Sequence, residues 1–331
     1  MKKDGRLVFI SWAPYCSRSD SIARRLGGKS YMIYCPFWGS RYSTILFKYV
    51  SQTFKTLRLL FREKPAVVFV MTPPVIACLA VWLYAKCSGA SYVIDAHTAT
   101  FVDPPWSSLI FLQRFCSSRA VATLVTNEHL ASIVRSWECQ VRIMPDVPVY
   151  FAEPTSVSLK GQFNMTLVCS FTKDEPIDLF LNAASKSPDI QFYVTGDMKD
   201  ADPALVHRKP SNVEFTGYLP DSQYVGLLMA SDAVLSLTTV DHTMQRGAYE
   251  AVYLGKPVIT SNFGVLRECF DKGTVHVNNT VNDMVRGMRR MRENISRYRE
   301  EVCQLRTQKL AHWQVIEAEI RRLLQRDGND V

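Results

Sequence analysis

Short runs of β-branched and aromatic residues alternate along this 331-residue chain with longer stretches whose apolar positions recur every three or four residues. In the first half, the runs at 7–11, 30–34, 66–71, 91–95, 122–126 and 142–144 predict strands, and 42–62, 75–87 and 109–117 predict helices between them. Strands as uniformly apolar as Val67-Val68-Phe69-Val70 are those of parallel sheets covered by helices on both faces. The stretch 145–154, with prolines at 145, 148 and 154, breaks the alternation and reads as a linker. The pattern then restarts, with strands expected at 165–171, 190–195, 213–216, 233–237, 257–260 and 274–277. Helices are expected at 177–185, 221–230, 245–254 and 281–292, followed by helix alone over 295–325. The reading is an α/β chain of two tandem doubly wound domains, residues 1–150 and 151–294, with a helical tail over 295–331. Such sheets bind ligands beyond the carboxyl ends of their strands, so the active site is expected in the cleft between the domains.

Composition narrows the setting. Charged residues make up 21% and hydrophobic residues 47%, ordinary for a globular protein, so general disorder is excluded. The 39 Lys and Arg against 31 Asp and Glu give a net charge of +8, which favours anionic partners. No nucleic-acid recognition motif accompanies the charge, so nucleic acid is not an expected partner. The nine cysteines form no C-x-x-C pair and sit mostly in apolar runs, as expected of reduced thiols in a cytoplasmic protein. The opening Met1-Lys2-Lys3-Asp4-Gly5-Arg6 runs into a strand without the apolar stretch of a signal peptide. The longest apolar run, 75–85, is about half of what a spanning helix needs.

The segment 231–270 carries the most chemistry. A strand ends in a polar loop with Asp241 and Thr243, both good N-cap residues, and a helix follows that stops near Gly255-Lys256-Pro257. First-turn amides at Met244, Gln245 and Arg246 lack intrahelical acceptors, which suits a diphosphate, and Arg246 adds a cation. Gly247 reads as a point of close approach for a ligand. Glu250 lies in the helix beyond, within reach of hydroxyls attached near such a diphosphate.

With these residues the sequence resembles the GT-B glycosyltransferases, specifically glycosyltransferase family four, the group 1 transferases. That family places two acids eight positions apart before a G-K-P-V-I run, and Glu250 with Gly255-Lys256-Pro257-Val258-Ile259 matches the second acid and its sequel. The resemblance implies two Rossmann-like domains and a Glu250 that binds the donor's ribose. It also implies that the diphosphate meets the amides near Met244 and Gln245. Val213 to Pro220 matches the family's strand–Gly–loop segment, implying that Gly217, Tyr218 and Leu219 flank the nucleotide base. Thr195-Gly196-Asp197 resembles the Gly-Asp turn one strand earlier. In the first half, Tyr92-Val93-Ile94-Asp95-Ala96-His97 places a histidine where the family has one facing the donor sugar. His97 is then the expected catalytic residue, with Asp95 fixing its tautomer.

Two departures mark a divergent branch. The first acid of the pair falls on His242, and Cys169-Ser170-Phe171-Thr172-Lys173-Asp174-Glu175-Pro176 replaces the family's Gly-Arg and Lys-Gly elements. Lys173 is the candidate substitute for the missing phosphate cation. The glycine-rich turn after the first strand is also absent, and Ser17 and Arg18 stand in the loop expected to face the acceptor. Asp200-Ala201-Asp202 has the D-x-D spacing of metal-dependent transferases of another fold but lies in a polar loop. No cluster has convincing metal-ligand spacing, so neither a metal nor a cofactor is expected.

The expected activity is metal-independent hexosyl transfer from a nucleotide diphosphate sugar to a lipid-linked or polysaccharide acceptor, and the family resemblance implies retention of configuration. The alternatives are a nucleotide-sugar 2-epimerase and a non-catalytic sugar-nucleotide-binding partner subunit, the latter raised by His242. Helix 42–62 bears on the acceptor. Leu46, Val50, Thr53, Leu57 and Leu60 are expected to pack on the sheet, with Phe47, Phe54 and Phe61 along the border and Lys48, Lys55, Arg58 and Arg62 beyond. This is either an ordinary crossover helix or an interfacial one, holding the protein peripherally on an anionic membrane surface at its cytoplasmic face. The tail over 286–326, with eleven Lys or Arg and five Glu, is expected to pack back on the first domain.

Overall fold

The computed structural model describes residues 7–35 and 42–326, so the opening hexapeptide and Arg41 of the basic stretch lie outside the described residues. Chain order begins with β1 (Leu7–Ser11), α1 (Ser17–Arg25), β2 (Lys29–Met32), α2 (Tyr42–Glu63), β3 (Val67–Thr72), α3 (Val75–Ser88) and β4 (Ser91–Ala96). It continues through α4 (Ala99–Val102), a 3₁₀ turn (Ser107–Leu109), α5 (Ile110–Ser117), β5 (Ala122–Val125), α6 (Glu128–Arg135) and β6 (Val141–Ile143). The second series runs β7 (Asn164–Leu167), α7 (Ile177–Ser185), β8 (Gln191–Thr195), α8 (Pro203–His207), β9 (Val213–Gly217), α9 (Asp221–Ala230) and β10 (Ala233–Ser236). It ends with α10 (Arg246–Tyr253), β11 (Val258–Ser261), α11 (Gly264–Cys269), β12 (Thr274–Val277), α12 (Val281–Glu293) and α13 (Ile295–Arg326).

Two six-stranded sheets result, and every strand pairing in them is parallel. Their orders are β2-β1-β3-β4-β5-β6 and β12-β11-β10-β7-β8-β9. The second is the dinucleotide-fold order, and its direction reverses between β7 and β10, where a doubly wound sheet opens a crevice for a ligand. In the first sheet the corresponding reversal falls between β1 and β3. Apolar clusters cover the sheets, one side of the first holding Ile10, Val68, Val70, Val81, Tyr92 and Ile94 and one side of the second Leu167, Phe180, Phe192, Val194 and Leu235.

The chain forms two compact units. One comprises the described residues through Pro148 together with those from Trp313, and the other is Val149–His312. The helical tail, expected to pack back on the first domain, is divided between them at Trp313. Tyr298, Val302 and Leu305 are buried in the second unit, and Trp313, Ile316 and Ile320 join Phe9, Phe69 and Val93 in the first.

Two expected details differ. Strand β7 stops at Leu167 instead of running to 171: the Ser170 and Thr172 amides turn to the Glu175 carboxylate, with Phe171 left-handed (φ 57°) between them. Helix α2 turns another face inward: Gln52, Thr56 and Leu60 are buried, whereas Leu46 and Val50 are 68% and 61% exposed. Hydrogen bonds account for the register. The Trp12 indole N–H donates to Thr56 Oγ1 (2.9 Å) and Gln52 Nε2 donates to the Ile33 carbonyl (2.8 Å), so polar side chains on this face are tied to neighbouring elements.

Candidate active site

In the first unit, β4 carries Asp95 to the carboxyl end of the sheet with its side chain 1% exposed. Arg18, in the first turn of α1, grips it. Nε lies 3.2 and 3.0 Å from the two carboxylate oxygens, and a terminal nitrogen donates to Oδ1 (3.1 Å) and to the Met144 carbonyl (2.8 Å). His97 holds its backbone N–H on the Thr72 carbonyl (2.9 Å), and its Nε2 is 3.3 Å from Asp95 Oδ2. Burial alone raises the Asp95 carboxyl, but the charge of Arg18, the contacts of His97 and the hydrogen bond from Arg18 outweigh it. The group is held well below the usual carboxylate range.

These contacts correct the expectation for Arg18. Its guanidinium is only 16% exposed and is committed to Asp95, so it braces the carboxyl end of β4 instead of standing open to solvent. Ser17 beside it is buried. Asp95 meets His97 through Nε2, so the neutral tautomer it favours carries the proton there and leaves Nδ1 as an acceptor.

In the second unit, the loops at the β7/β10 reversal are tied together. Thr238 Oγ1 donates to Asp174 Oδ2 (2.9 Å), and the Thr239 amide donates to the Asp174 carbonyl (2.7 Å). Asn279 Nδ2 donates to the Thr238 carbonyl (2.8 Å), while Ser261 Oγ accepts from the Thr238 amide (2.9 Å). In the 168–176 loop the amides of Ser170 and Thr172 donate to the Glu175 carboxylate at 2.9–3.0 Å, so an internal anion fills that turn. Lys173 lies exposed in the same loop.

Helix α10 starts two residues after Met244, the first of the three amides in the diphosphate assignment. Gln245 is its N-cap, held by Ser236 Oγ donating to Oε1 (3.0 Å), so the first-turn amides belong to Arg246, Gly247 and Ala248 rather than to Met244 and Gln245. Neither Asp241 nor Thr243 caps it. Asp241 instead accepts the His242 amide (2.6 Å), and His242 sits at a left-handed φ of 59° in that turn. Met244 packs partly buried against the apolar cluster of Tyr249 and Phe270. Gly247 serves packing rather than ligand approach: a Cβ there would lie 2.7 Å from Val168 Cβ, so only glycine lets α10 close on the strand end.

Glu250 is 4% exposed despite its charge. Arg246 Nε donates to Oε1 (2.7 Å) and the Tyr224 hydroxyl donates to Oε2 (2.5 Å). Burial, then the Glu250 charge, keeps the Tyr224 phenol well above its ordinary pKa, so it stays a donor. Tyr224 sits one turn into α9, directly after the loop that follows Gly217. That loop starts at a left-handed Gly217 (φ 71°), with Tyr218 75% exposed and Leu219 half-buried. The structure therefore gathers Glu250, Arg246 and Gln245 at the start of α10. His242, Thr243 and Met244 lie in the loop leading into it, and α9 links the 217–219 turn to Glu250.

Asp197 bonds its own turn, accepting from the Lys199 amide (3.1 Å). Asp202 caps α8 by accepting from the Ala204 amide (2.9 Å), which gives the D-x-D spacing a structural use. Sequence reasoning missed Tyr224 and Asp174. A tyrosine one turn inside a helix carries no signal of its own, and its partner lies 26 residues away.

Residues 163–294 match the family model described as Glycosyl transferases group 1. No curated protein matches the chain in sequence. Among solved structures, sucrose-phosphate synthase of Thermosynechococcus elongatus is similar over 97% of this chain and 98% of its own, at 13% identity and TM-score 0.73. HepE of Anabaena, in complex with UDP and glucose, is similar over 97% and 99%, at 12% identity and TM-score 0.72. A glycosyltransferase of Rickettsia africae is similar over 99% and 100%, at 10% identity and TM-score 0.68. Residues 163–294, which hold Glu250, thus resemble the group 1 glycosyltransferases, and the two sheets of the chain share the GT-B fold of these solved structures.

Proposed function

We propose that the protein transfers a hexosyl group from a nucleotide diphosphate sugar to an acceptor hydroxyl. The observation that carries this reading is Glu250, a buried carboxylate one turn inside the helix at the sheet's reversal point, paired with a half-exposed Arg246. Glu250 receives the ribose hydroxyls. Arg246, Lys173 and the first-turn amides of α10 neutralise the diphosphate, with Gly217, Tyr218 and Leu219 beside the base. His242 and Thr243 border the sugar. No protein-bound metal or cofactor has a part in this scheme. The bond between the anomeric carbon and the diphosphate breaks, and the nucleoside diphosphate leaves with the electron pair. The acceptor oxygen bonds to the anomeric carbon on the face the diphosphate leaves, which retains configuration, and its proton passes to the departing diphosphate. Nδ1 of His97 accepts a hydroxyl of the sugar and fixes it during this step. Uridine is the first base to test, because HepE was solved with UDP.

The acceptor is lipid-linked in this reading, and the protein works peripherally at an anionic membrane surface on the cytoplasmic side, in polysaccharide synthesis. Leu46, Val50 and Phe54 follow one another at four-residue spacing on α2 and are 61–68% exposed, with Arg58 and Arg62 continuing the same row. Among the described residues no helix is long and apolar enough to cross a membrane. Sedimentation with anionic vesicles that disappears at high salt supports this acceptor class, and indifference to such vesicles at low salt removes it.

A thermal-shift screen with UDP-, GDP- and dTDP-sugars, followed by product analysis with and without acceptor, tests the function. Stabilisation by one donor series with acceptor-dependent transfer is expected. Donor epimerisation without acceptor replaces the reading by a 2-epimerase, and binding without turnover by a partner subunit.

A further inference from the structure

We propose that Tyr224 is a positioning residue of the donor site, orienting the Glu250 carboxylate for the ribose hydroxyls; this rests on the donor reading above. The two partners of Glu250 differ in how firmly they are held. The Arg246 side chain is 55% exposed and comes from the same helix, four residues before Glu250, so it is the partner that solvent and a phosphate can reach. Tyr224 comes from a different helix, its ring lies partly buried against the apolar cluster that holds Tyr249 and Val252, and its hydroxyl is 2.5 Å from Oε2. A short hydroxyl–carboxylate bond of this kind is among the stronger hydrogen bonds in proteins.

When Arg246 engages a diphosphate, Tyr224 is the contact that keeps the carboxylate in its rotamer. An ionised carboxylate offers about four lone-pair sites. With Tyr224 on one of them, the remaining sites can accept both hydroxyls of a ribose. Tyr224 also stands four residues after Pro220, whose carbonyl accepts its amide (2.9 Å), at the end of the 217–220 loop. The residue therefore joins the turn proposed to flank the base to the carboxylate proposed to read the sugar of the same nucleoside.

The test is a double-mutant cycle on the full chain by titration calorimetry, with Tyr224→Phe, Glu250→Gln and the pair together. UDP and, in parallel, GDP are the probes, each with its 2′,3′-dideoxy analogue. Phenylalanine keeps the ring and removes only the donated hydrogen. Tyr224→Phe should weaken the bound nucleotide about tenfold, the low end for a hydrogen bond to a charged group. It should leave the dideoxy analogue unaffected, and the loss should vanish in the Glu250→Gln background. Should Tyr224→Phe lower the melting temperature enough to compromise titration, the thermal shift given by each nucleotide is read instead, and the variant should lose that shift for the hydroxylated nucleotide alone. Equal losses for both probes, or no loss where Glu250→Gln shows one, would make Tyr224 a packing residue and overturn the inference alone. Unchanged affinity in Glu250→Gln, or no binding of either nucleotide by the wild-type chain, overturns the donor reading with it.

Discussion

Asp95 and Glu250 are both buried carboxylates at the carboxyl ends of parallel sheets, and each is paired with an arginine, yet they are built for different work. Asp95 is closed. Three contacts from a guanidinium that is itself 16% exposed, with a histidine on the remaining edge, saturate it. Glu250 has one fixed neutral donor in Tyr224 and one cation whose side chain is 55% exposed. A saturated carboxylate holds its neighbours in place, whereas one with a releasable partner can exchange that partner for a ligand. Under the proposed function, this contrast gives Asp95 the positioning of His97 and Glu250 the contact with the donor.

The sharpest way to break this contrast is to remove the arginine from each pair. Arg18→Met strands a carboxylate that is fully buried, and losing one partner of a buried pair costs about 3–5 kcal/mol. Urea denaturation should show a loss of that size, most of it recovered by adding Asp95→Asn. The same pair sets an acid limit. Because the folded Asp95 carboxyl is depressed, its stabilising contribution is present above its unfolded pKa of about 3.9 and fades as pH falls toward the folded value. The stability difference between wild type and Asp95→Asn should therefore be constant from neutral pH to about 5 and shrink only in stronger acid. A difference that shrinks already between pH 7 and 6 would mean that Asp95 is not held this way.

Next in size is the chemistry attached to the closed pair. His97→Ala should lower turnover by about a hundredfold, the lower range for a positioned acid–base group, with donor affinity nearly unchanged. Equal losses in turnover and affinity would return His97 to a structural role. The smallest effect belongs to the open pair. Arg246→Gln should cost about 1–2 kcal/mol of stability, less than Arg18→Met because the guanidinium is 55% exposed although Glu250 is buried. It should still weaken nucleotide diphosphate binding severalfold, measured by calorimetry, and do so less at high salt. A stability loss as large as that of Arg18→Met would erase the distinction between the two centres.

The fold was legible because the central strands β1, β5, β7, β10 and β11 are buried along their whole length, and runs such as Val67 to Val70 can be neither surface nor loop. The restart of the pattern after the proline-rich stretch made the second sheet equally plain. Helix α2 was misread for a physical reason: its inward face is set by hydrogen bonds from Gln52 and to Thr56, and periodicity counts only apolar positions. The start of α10 was misplaced because Asp241 and Thr243 are stronger capping residues than Gln245, but Ser236 on the preceding strand fixes Gln245 in the cap. Arg18 looked like a free loop cation since its partner lies 77 residues away, and Tyr224 was silent for the same reason. Local spacing revealed Glu250 and His97. The residues that hold them come from other elements, which no local pattern can reveal.

A crystal structure with an intact UDP-sugar bound tests the central claim most directly. The account predicts both ribose hydroxyls within about 2.6–3.0 Å of the Glu250 carboxylate. Arg246 should have turned to the diphosphate, and the Arg18–Asp95 pair should be unchanged. A nucleotide whose ribose lies away from Glu250, with the Arg246 pair still closed, would contradict it.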